Sequence, residues 1–112
     1  MIVKLRNRKI KINVEKVSFL GKFIGLMFHS RNTENLLFDF ERYEKAAIHS
    51  FFVFFPFIAL WLDDKNNILE FGIVRPFTFL IKPRSKVSRL VEVPINDKNR
   101  KIIKIIVGKG KI

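Results

Sequence analysis

The stretch AAIHSFFVFFPFIALWLDDKNNILEFGIV, residues 46–74, decides the fold. Its first 17 residues, 46–62, carry no charged side chain. A membrane-spanning helix needs about 20 predominantly apolar residues. This run is interrupted by His49, Ser50 and Pro56 and bounded by Lys45 and Asp63-Asp64. Phe is its commonest residue, and with Val53, Ile58 and the leucines it suits strands buried on both faces. The run therefore reads as core, split at Pro56, with a strand ending at Trp61-Leu62. Asp63-Asp64-Lys65-Asn66-Asn67 has the chemistry of a tight turn, and residues 68–74 return as the partner strand.

Outward from this centre, Leu36-Leu37-Phe38-Asp39-Phe40 reads as a further strand. So do residues 77–82 and 87–93, punctuated by Pro76, Pro83 and Pro94. Residues 2–6 and 10–14 alternate apolar and polar side chains, the pattern of half-buried strands. With Asn7-Arg8 between them they predict a hairpin whose outward face carries Lys4, Arg6, Lys9 and Lys11. Ser18 is a fair N-cap for a helix running to about residue 28, with Phe19, Phe23 and Met27 on one face and Gly21 and Gly25 on another. In the tail, Asp97 as N-cap, the spacing of Ile102, Ile105 and Ile106, and Gly108 at the C-cap predict a helix over 97–107. The β-branched residues there favour a strand instead, and the helix is preferred. The expected architecture is a single α+β domain over residues 1–112. Antiparallel strands dominate it, as a small barrel or sandwich with two short helices.

At 112 residues the chain holds one core, and 48% hydrophobic content excludes a disordered polymer despite a net charge of +12. The absence of cysteine removes disulfides, thiolate metal sites and a Cys nucleophile, and two His alone make zinc a poor fit. No cofactor and no metal is expected. The N-terminus alternates apolar and basic residues and has no apolar signal region, so a cytoplasmic protein without a transmembrane span is expected.

Charge is unevenly spread. Residues 1–17 carry six Lys/Arg against one Glu, and residues 81–112 carry ten against two acids. Residues 18–80 hold six basic and seven acidic side chains and all 13 Phe. Two basic ends flank a greasy, nearly neutral centre, and if the ends meet they form one cationic face.

Several segments, in order, resemble the domain of unknown function 192 family. They are Gly25-Leu26-Met27-Phe28, then Leu36-Leu37-Phe38-Asp39-Phe40, then Ile48-His49-Ser50-Phe51-Phe52-Val53-Phe54-Phe55-Pro56 leading into Leu60-Trp61-Leu62-Asp63, and finally Leu90-Val91-Glu92-Val93-Pro94. The Ile-His-Ser-Phe-Phe form is similar to the archaeal branch. The resemblance covers roughly residues 18–95 and implies a compact, strand-rich α+β domain; it implies no function. The family pattern usually has an Arg where this chain has His29, and an Asp where it has Ile58.

The candidate sites each have a plainer alternative. His49-Ser50 is the sharpest polar punctuation in the apolar run, and a His can serve a Ser as general base. Adjacent strand residues point to opposite faces, however, which favours a structural or ligand-contacting His49. His29 with Ser30 and Arg31 reads as an anion contact or a solvated loop. Asp63-Asp64 matches no calcium loop and reads as a turn. Arg75 and Glu92 could pair across strands. Gly108-Lys109-Gly110-Lys111 superficially resembles a phosphate loop but has no helix to follow it.

The basic residues remain: Lys4, Arg6, Lys9 and Lys11 from the hairpin, Arg84, Lys86 and Arg89, then Arg100, Lys101 and Lys104. Together they fit a non-enzymatic module that holds a polyanion, RNA or DNA backbone first. The aromatics sit in segments that read as core, which argues against base stacking. The alternatives are a small-molecule binder or enzyme with a pocket near His49, and an accessory protein of a membrane assembly with part of the Phe-rich run exposed. Oligomeric state is not legible.

Overall fold

The computed structural model describes residues 1–17, 30–44, 53–78 and 81–108, with only the backbone of 41–44. The strands are β1 (Ile2–Leu5), β2 (Arg8–Lys11), β3 (Val14–Lys16), β4 (Asn35–Glu44), β5 (Phe57–Leu62), β6 (Ile68–Val74) and β7 (Val87–Pro94), and a 3₁₀ turn (Asp97–Asn99) leads into helix α1 (Arg100–Val107). The helix expected over 18–28 lies outside the described residues.

Strand β5 begins at the residue after Pro56 and is buried along its whole length. Period two divides it between two cores. Phe57, Ala59 and Trp61 join Leu36, Phe38, Phe55 and Leu90 on one face of the sheet, hereafter the first face. Ile58, Leu60 and Leu62 join Val91, Val93 and residues of the hairpin and helix on the second face. Covered on both sides, β5 needs apolar side chains throughout, which explains the uninterrupted run. Ile58 is fully buried, part of the packed core on the second face.

The main sheet has five strands in the order β3-β4-β7-β5-β6. All its pairings are antiparallel except β3 with β4, which is parallel. It is open, with β3 and β6 at its edges, so no barrel closes; among the described residues a two-stranded hairpin and one helix lie over its second face. The strand expected over 77–82 lies partly outside the described residues; of those described, Phe77 sits in a turn with φ 59 and Ile81 makes an isolated bridge.

The β1–β2 hairpin and α1 lie together on the second face. Val3, Ile10 and Ile12 from the hairpin segment and Ile103 and Ile106 from the helix share one core. Burying a side chain of this kind contributes about 1.5–3 kcal/mol. The tail helix is present but begins at Arg100, with Asn99 at its N-cap position; the 3₁₀ turn before it is capped by Asn96, whose Oδ1 accepts from the Asn99 N–H at 3.0 Å, and Asp97 caps neither. The helix ends at Gly108, with φ 99, where glycine suits the left-handed turn.

A buried amide pair fixes the helix to the sheet. The Asn35 Nδ2 donates to Asn99 Oδ1 at 3.1 Å, and the Asn99 Nδ2 donates back to Asn35 Oδ1 at 2.9 Å. The second N–H of each amide reaches a backbone carbonyl, Asn13 at 2.9 Å and Pro94 at 2.8 Å. Every amide donor is used, the condition under which a buried polar pair is stable.

The 63–67 turn is built on one carboxylate. Asp63 Oδ1 accepts from the Lys65 and Asn67 N–H groups, each at 2.9 Å, and Oδ2 accepts from Asn67 Nδ2 at 2.8 Å. Burial raises the Asp63 pKa, but these bonds and the Lys65 charge outweigh it and hold the carboxyl below the usual range. Arg89 locks the same turn to the sheet. It donates to Asp39 at 3.2 Å, to the Asp64 carbonyl at 2.9 Å and to Asn66 Oδ1 at 2.9 Å.

Candidate polyanion-binding surface

The hairpin turn is Arg6-Asn7, with φ 49 and 70, the positive pair that a two-residue type I′ turn requires. Arg6 therefore sits at the turn and not on a strand face, one residue earlier than the alternation suggests. On the strands, Lys4 stands directly opposite Lys9, and Lys11 opposite Ile2 on that same outward face. Like charges directly opposite across a ladder are destabilising by a few tenths of a kcal/mol.

Helix α1 turns Arg100, Lys101 and Lys104 outward while its isoleucines face the core. Hairpin and helix thus present six of the ten expected cations on the outside of one layer. A hollow of about 330 Å³ lies between them, lined by Lys11, Thr33, Lys98 and Ile102 and by one acid, Glu34, which stands 3.8 Å from the Lys98 Nζ.

Two cations that the sequence reading did not assign to this surface belong to it. Residues 31–34 run along the start of the helix. The Asn96 Nδ2 donates to the Arg31 carbonyl at 2.8 Å and the Lys98 Nζ to the Asn32 carbonyl at 2.7 Å. Arg31, Arg100 and Lys104 line an open groove of about 470 Å³ with Asn96 and Asp97. Its one acid, Asp97, is bonded at 2.7 Å to the Arg100 guanidinium. Arg31 and Lys98 are 67 residues apart, so no local pattern brings them together. The only signal was the charge excess itself.

The other expected cations lie elsewhere. Arg89 is engaged in the structural bonds described above. Arg84 and Lys86 sit on an exposed loop that meets the first face, where Glu70 Oε2 accepts from the Arg84 and Ser85 N–H groups at 2.6 and 3.0 Å. His29, His49 and Ser50 lie outside the described residues.

The structure also exposes what the sequence reading placed in the core. Phe54, Phe71 and Phe77 are 59%, 42% and 53% accessible. Phe54 and Phe77 meet edge to face at 5.6 Å.

Glu92 does not pair with Arg75: β5 stands between β7, which carries Glu92, and β6, which ends one residue before Arg75. Glu92 instead lies between Leu36 and Ala59 on the first face. It is buried, and its Oε1 has no hydrogen-bond partner among the described residues. Burial pushes its carboxyl up to about 8. Among the described residues no helix is long and apolar enough to cross a membrane.

Comparison with known proteins gives relatives without an assigned activity. No family profile matches the chain. It is 28% identical over 80 residues to UPF0127 proteins of Thermococcus gammatolerans and Thermococcus kodakarensis, covering 70% of this chain and 52% and 50% of those proteins. The chain thus spans about half the length of the curated relatives it matches. A protein from Sinorhizobium meliloti described as a candidate transcription regulator shares the fold with a TM-score of 0.75 at 18% identity, over 98% of this chain and 85% of its own. A protein of unknown function from Novosphingobium aromaticivorans shares it with a TM-score of 0.71 at 10% identity, over 90% of this chain and 74% of its own. At these identities the two structures bear on the fold alone.

Proposed function

We propose that the chain is a cytoplasmic, non-enzymatic binding module of the domain of unknown function 192 type, whose basic face holds a polyanion, RNA or DNA backbone in the first place. The observation that carries this reading is the placement of Lys4 directly opposite Lys9, with Lys11 beside them, on the layer that also turns Arg100, Lys101 and Lys104 outward. Unrelieved, such an array repels itself; a phosphate chain relieves it and releases counterions as it does so. The description of the Sinorhizobium neighbour as a candidate transcription regulator is compatible with this reading.

The test is anisotropy of labelled random single-stranded RNA and DNA between about 50 and 300 mM salt. Six neutralised phosphates on a single strand give a log–log slope of about −4, close to a thousandfold loss of affinity over that range. Lys9→Glu with Lys101→Glu flattens the slope by about one unit or more per site, irrespective of sequence. Flat traces at 50 mM salt sink the proposal.

A second reading, a small-molecule binder or enzyme, draws on Glu92, whose buried Oε1 has no hydrogen-bond partner among the described residues and whose carboxyl is pushed up to about 8 by burial. Titration of the Glu92 carboxyl by carbon NMR tests it, and an apparent pKa within about a unit of the usual carboxylate value removes that support.

A further inference from the structure

Among the described residues strand β6 is a sheet edge that no other strand covers. The hairpin reaches it only at its beginning, where the Lys4 N–H donates to the Asn66 carbonyl at 2.9 Å. Beyond that point, among the described residues, no backbone bond is made to the outer side of Ile68–Val74. Natural sheets guard such edges with Lys, Pro or a covering element. β6 has neither Lys nor Pro, and its one charge, Glu70, is occupied by two N–H groups of the neighbouring loop.

The two sides of this edge differ in chemistry. On the second face Phe71 and Ile73 are 42% and 44% exposed, and Leu69, the bulged residue beside them, is 44% exposed. On the first face the loop 82–86 meets the strand at Glu70, bringing Lys82, Arg84 and Lys86 and no acid. Next to Glu70 on this side, Gly72 has open space where a Cβ would be. One face of the edge is thus apolar and the other cationic.

We infer that β6 takes an extended peptide as a sixth strand, from a partner segment in which apolar and acidic residues alternate. Strand addition supplies main-chain hydrogen bonds, and alternate side chains supply specificity. Period two sends every second residue of the incoming strand over Phe71 and Ile73, and the intervening residues toward the loop cations. Seven residues of β6 span about 24 Å, so the segment is about six or seven residues long. A second copy of this chain is a poor occupant, because each carries a net charge of +12 and β6 contributes no free acid to meet the loop.

The experiment uses a labelled heptapeptide, Glu-Val-Glu-Val-Glu-Val-Glu with blocked ends, titrated against the full chain by anisotropy. Controls are its Lys-for-Glu counterpart and heptaglutamate. Hydrogen exchange is measured on the complex, and sedimentation on the chain alone. The expected result is binding of the alternating peptide at least about tenfold tighter than of either control, with new protection of amides in 68–74. Phe71→Lys, at an exposed site, and Arg84→Glu with Lys86→Glu, away from any core, each weaken it at least about tenfold.

Equal binding of heptaglutamate, unaffected by Phe71→Lys, reduces the interaction to charge and overturns the proposal. So does no binding at low salt and millimolar peptide. A dimer abolished by Phe71→Lys overturns it in favour of a second copy. Loss of RNA binding by the hairpin and helix variants leaves this site unaffected, so the two proposals fail separately.

Discussion

Glu92→Gln has a pH-dependent effect whose sign and size follow from the burial of one carboxyl. In the folded chain the carboxyl is pushed from 4.5 up to about 8 by desolvation. Between those values the folded state binds one proton more than the unfolded state, so stability falls as pH rises. The slope is about 1.4 kcal/mol per pH unit. The loss begins near pH 4.5, accumulates to roughly 5 kcal/mol by pH 8, and is constant above. That is a large share of the roughly 5–15 kcal/mol that holds a typical domain folded.

Gln has nearly the same shape and does not titrate. It buries an amide whose unmet donors cost about 1–3 kcal/mol, independent of pH. The assay is urea unfolding of both proteins at pH 5, 6, 7, 8 and 9. The difference between them cancels every other titrating group. The variant is expected to be equal or less stable at pH 5 and more stable by several kcal/mol at pH 9. A difference that stays flat to within about 0.5 kcal/mol from pH 5 to 8 refutes the reasoning and means that Glu92 is satisfied in solution.

The amide pair between Asn35 and Asn99 gives a coupled result: each Asn→Ala costs about 2–4 kcal/mol by leaving the other amide buried and unmet, and a double-mutant cycle returns about 1–3 kcal/mol of coupling. An additive cycle contradicts the pairing. Asp63→Ala costs about 1–3 kcal/mol at neutral pH, because three N–H groups lose their acceptor. The Asp63 pKa is lowered in the fold, so its contribution is complete above its unfolded value of 3.8 and is lost as pH falls through the folded value; thermal scans down to pH 2 show the variant and parent converging. Arg89→Met lowers the melting temperature by several degrees and leaves the salt slope of nucleic-acid binding unchanged, which separates its structural bonds from the surface cations.

Much of the fold was legible because local and tertiary preferences agree. Pro56 breaks the apolar run where β5 starts, Asp63 organises the turn by itself, and 68–74 could pair only backward onto β5. The tail helix was legible from its C-cap and isoleucine spacing. What was hidden depends on contacts distant in sequence. The parallel addition of β3 to β4 leaves no periodic mark, because three residues are too few to show one. The Asn35–Asn99 pair joins residues that look like ordinary loop punctuation. Phe77 belonged by composition to a strand, and backbone geometry placed it in a turn. Of the candidate site, the basic content of hairpin and helix was visible, but the groove between Arg31 and Lys104 was not. Glu92 was visible only as one polar residue in an apolar strand, and its burial comes from Leu36 and Ala59 on the two neighbouring strands, which no local pattern marks.

The division of the cations is the consequence that matters most for function. A single excess of +12 suggests one surface, yet the fold distributes it over two layers with different company. On the hairpin and helix the cations stand among other cations and polar side chains, with Asp97 against Arg100 and Glu34 against Lys98 as acids beside them, and no exposed aromatic of the described residues is placed among them for base contacts. On the 82–86 loop they stand beside a bare strand edge with Phe71 and Ile73 exposed, where charge and apolar contact act on the same short segment. Salt separates the two. Purely ionic binding weakens steeply with salt, whereas strand addition keeps its main-chain and apolar terms. Raising salt from 50 to 300 mM should therefore abolish RNA binding and weaken the alternating peptide by no more than about tenfold. Equal salt slopes for the two ligands would mean that both read the same electrostatic field, and the distinction between the surfaces would fail.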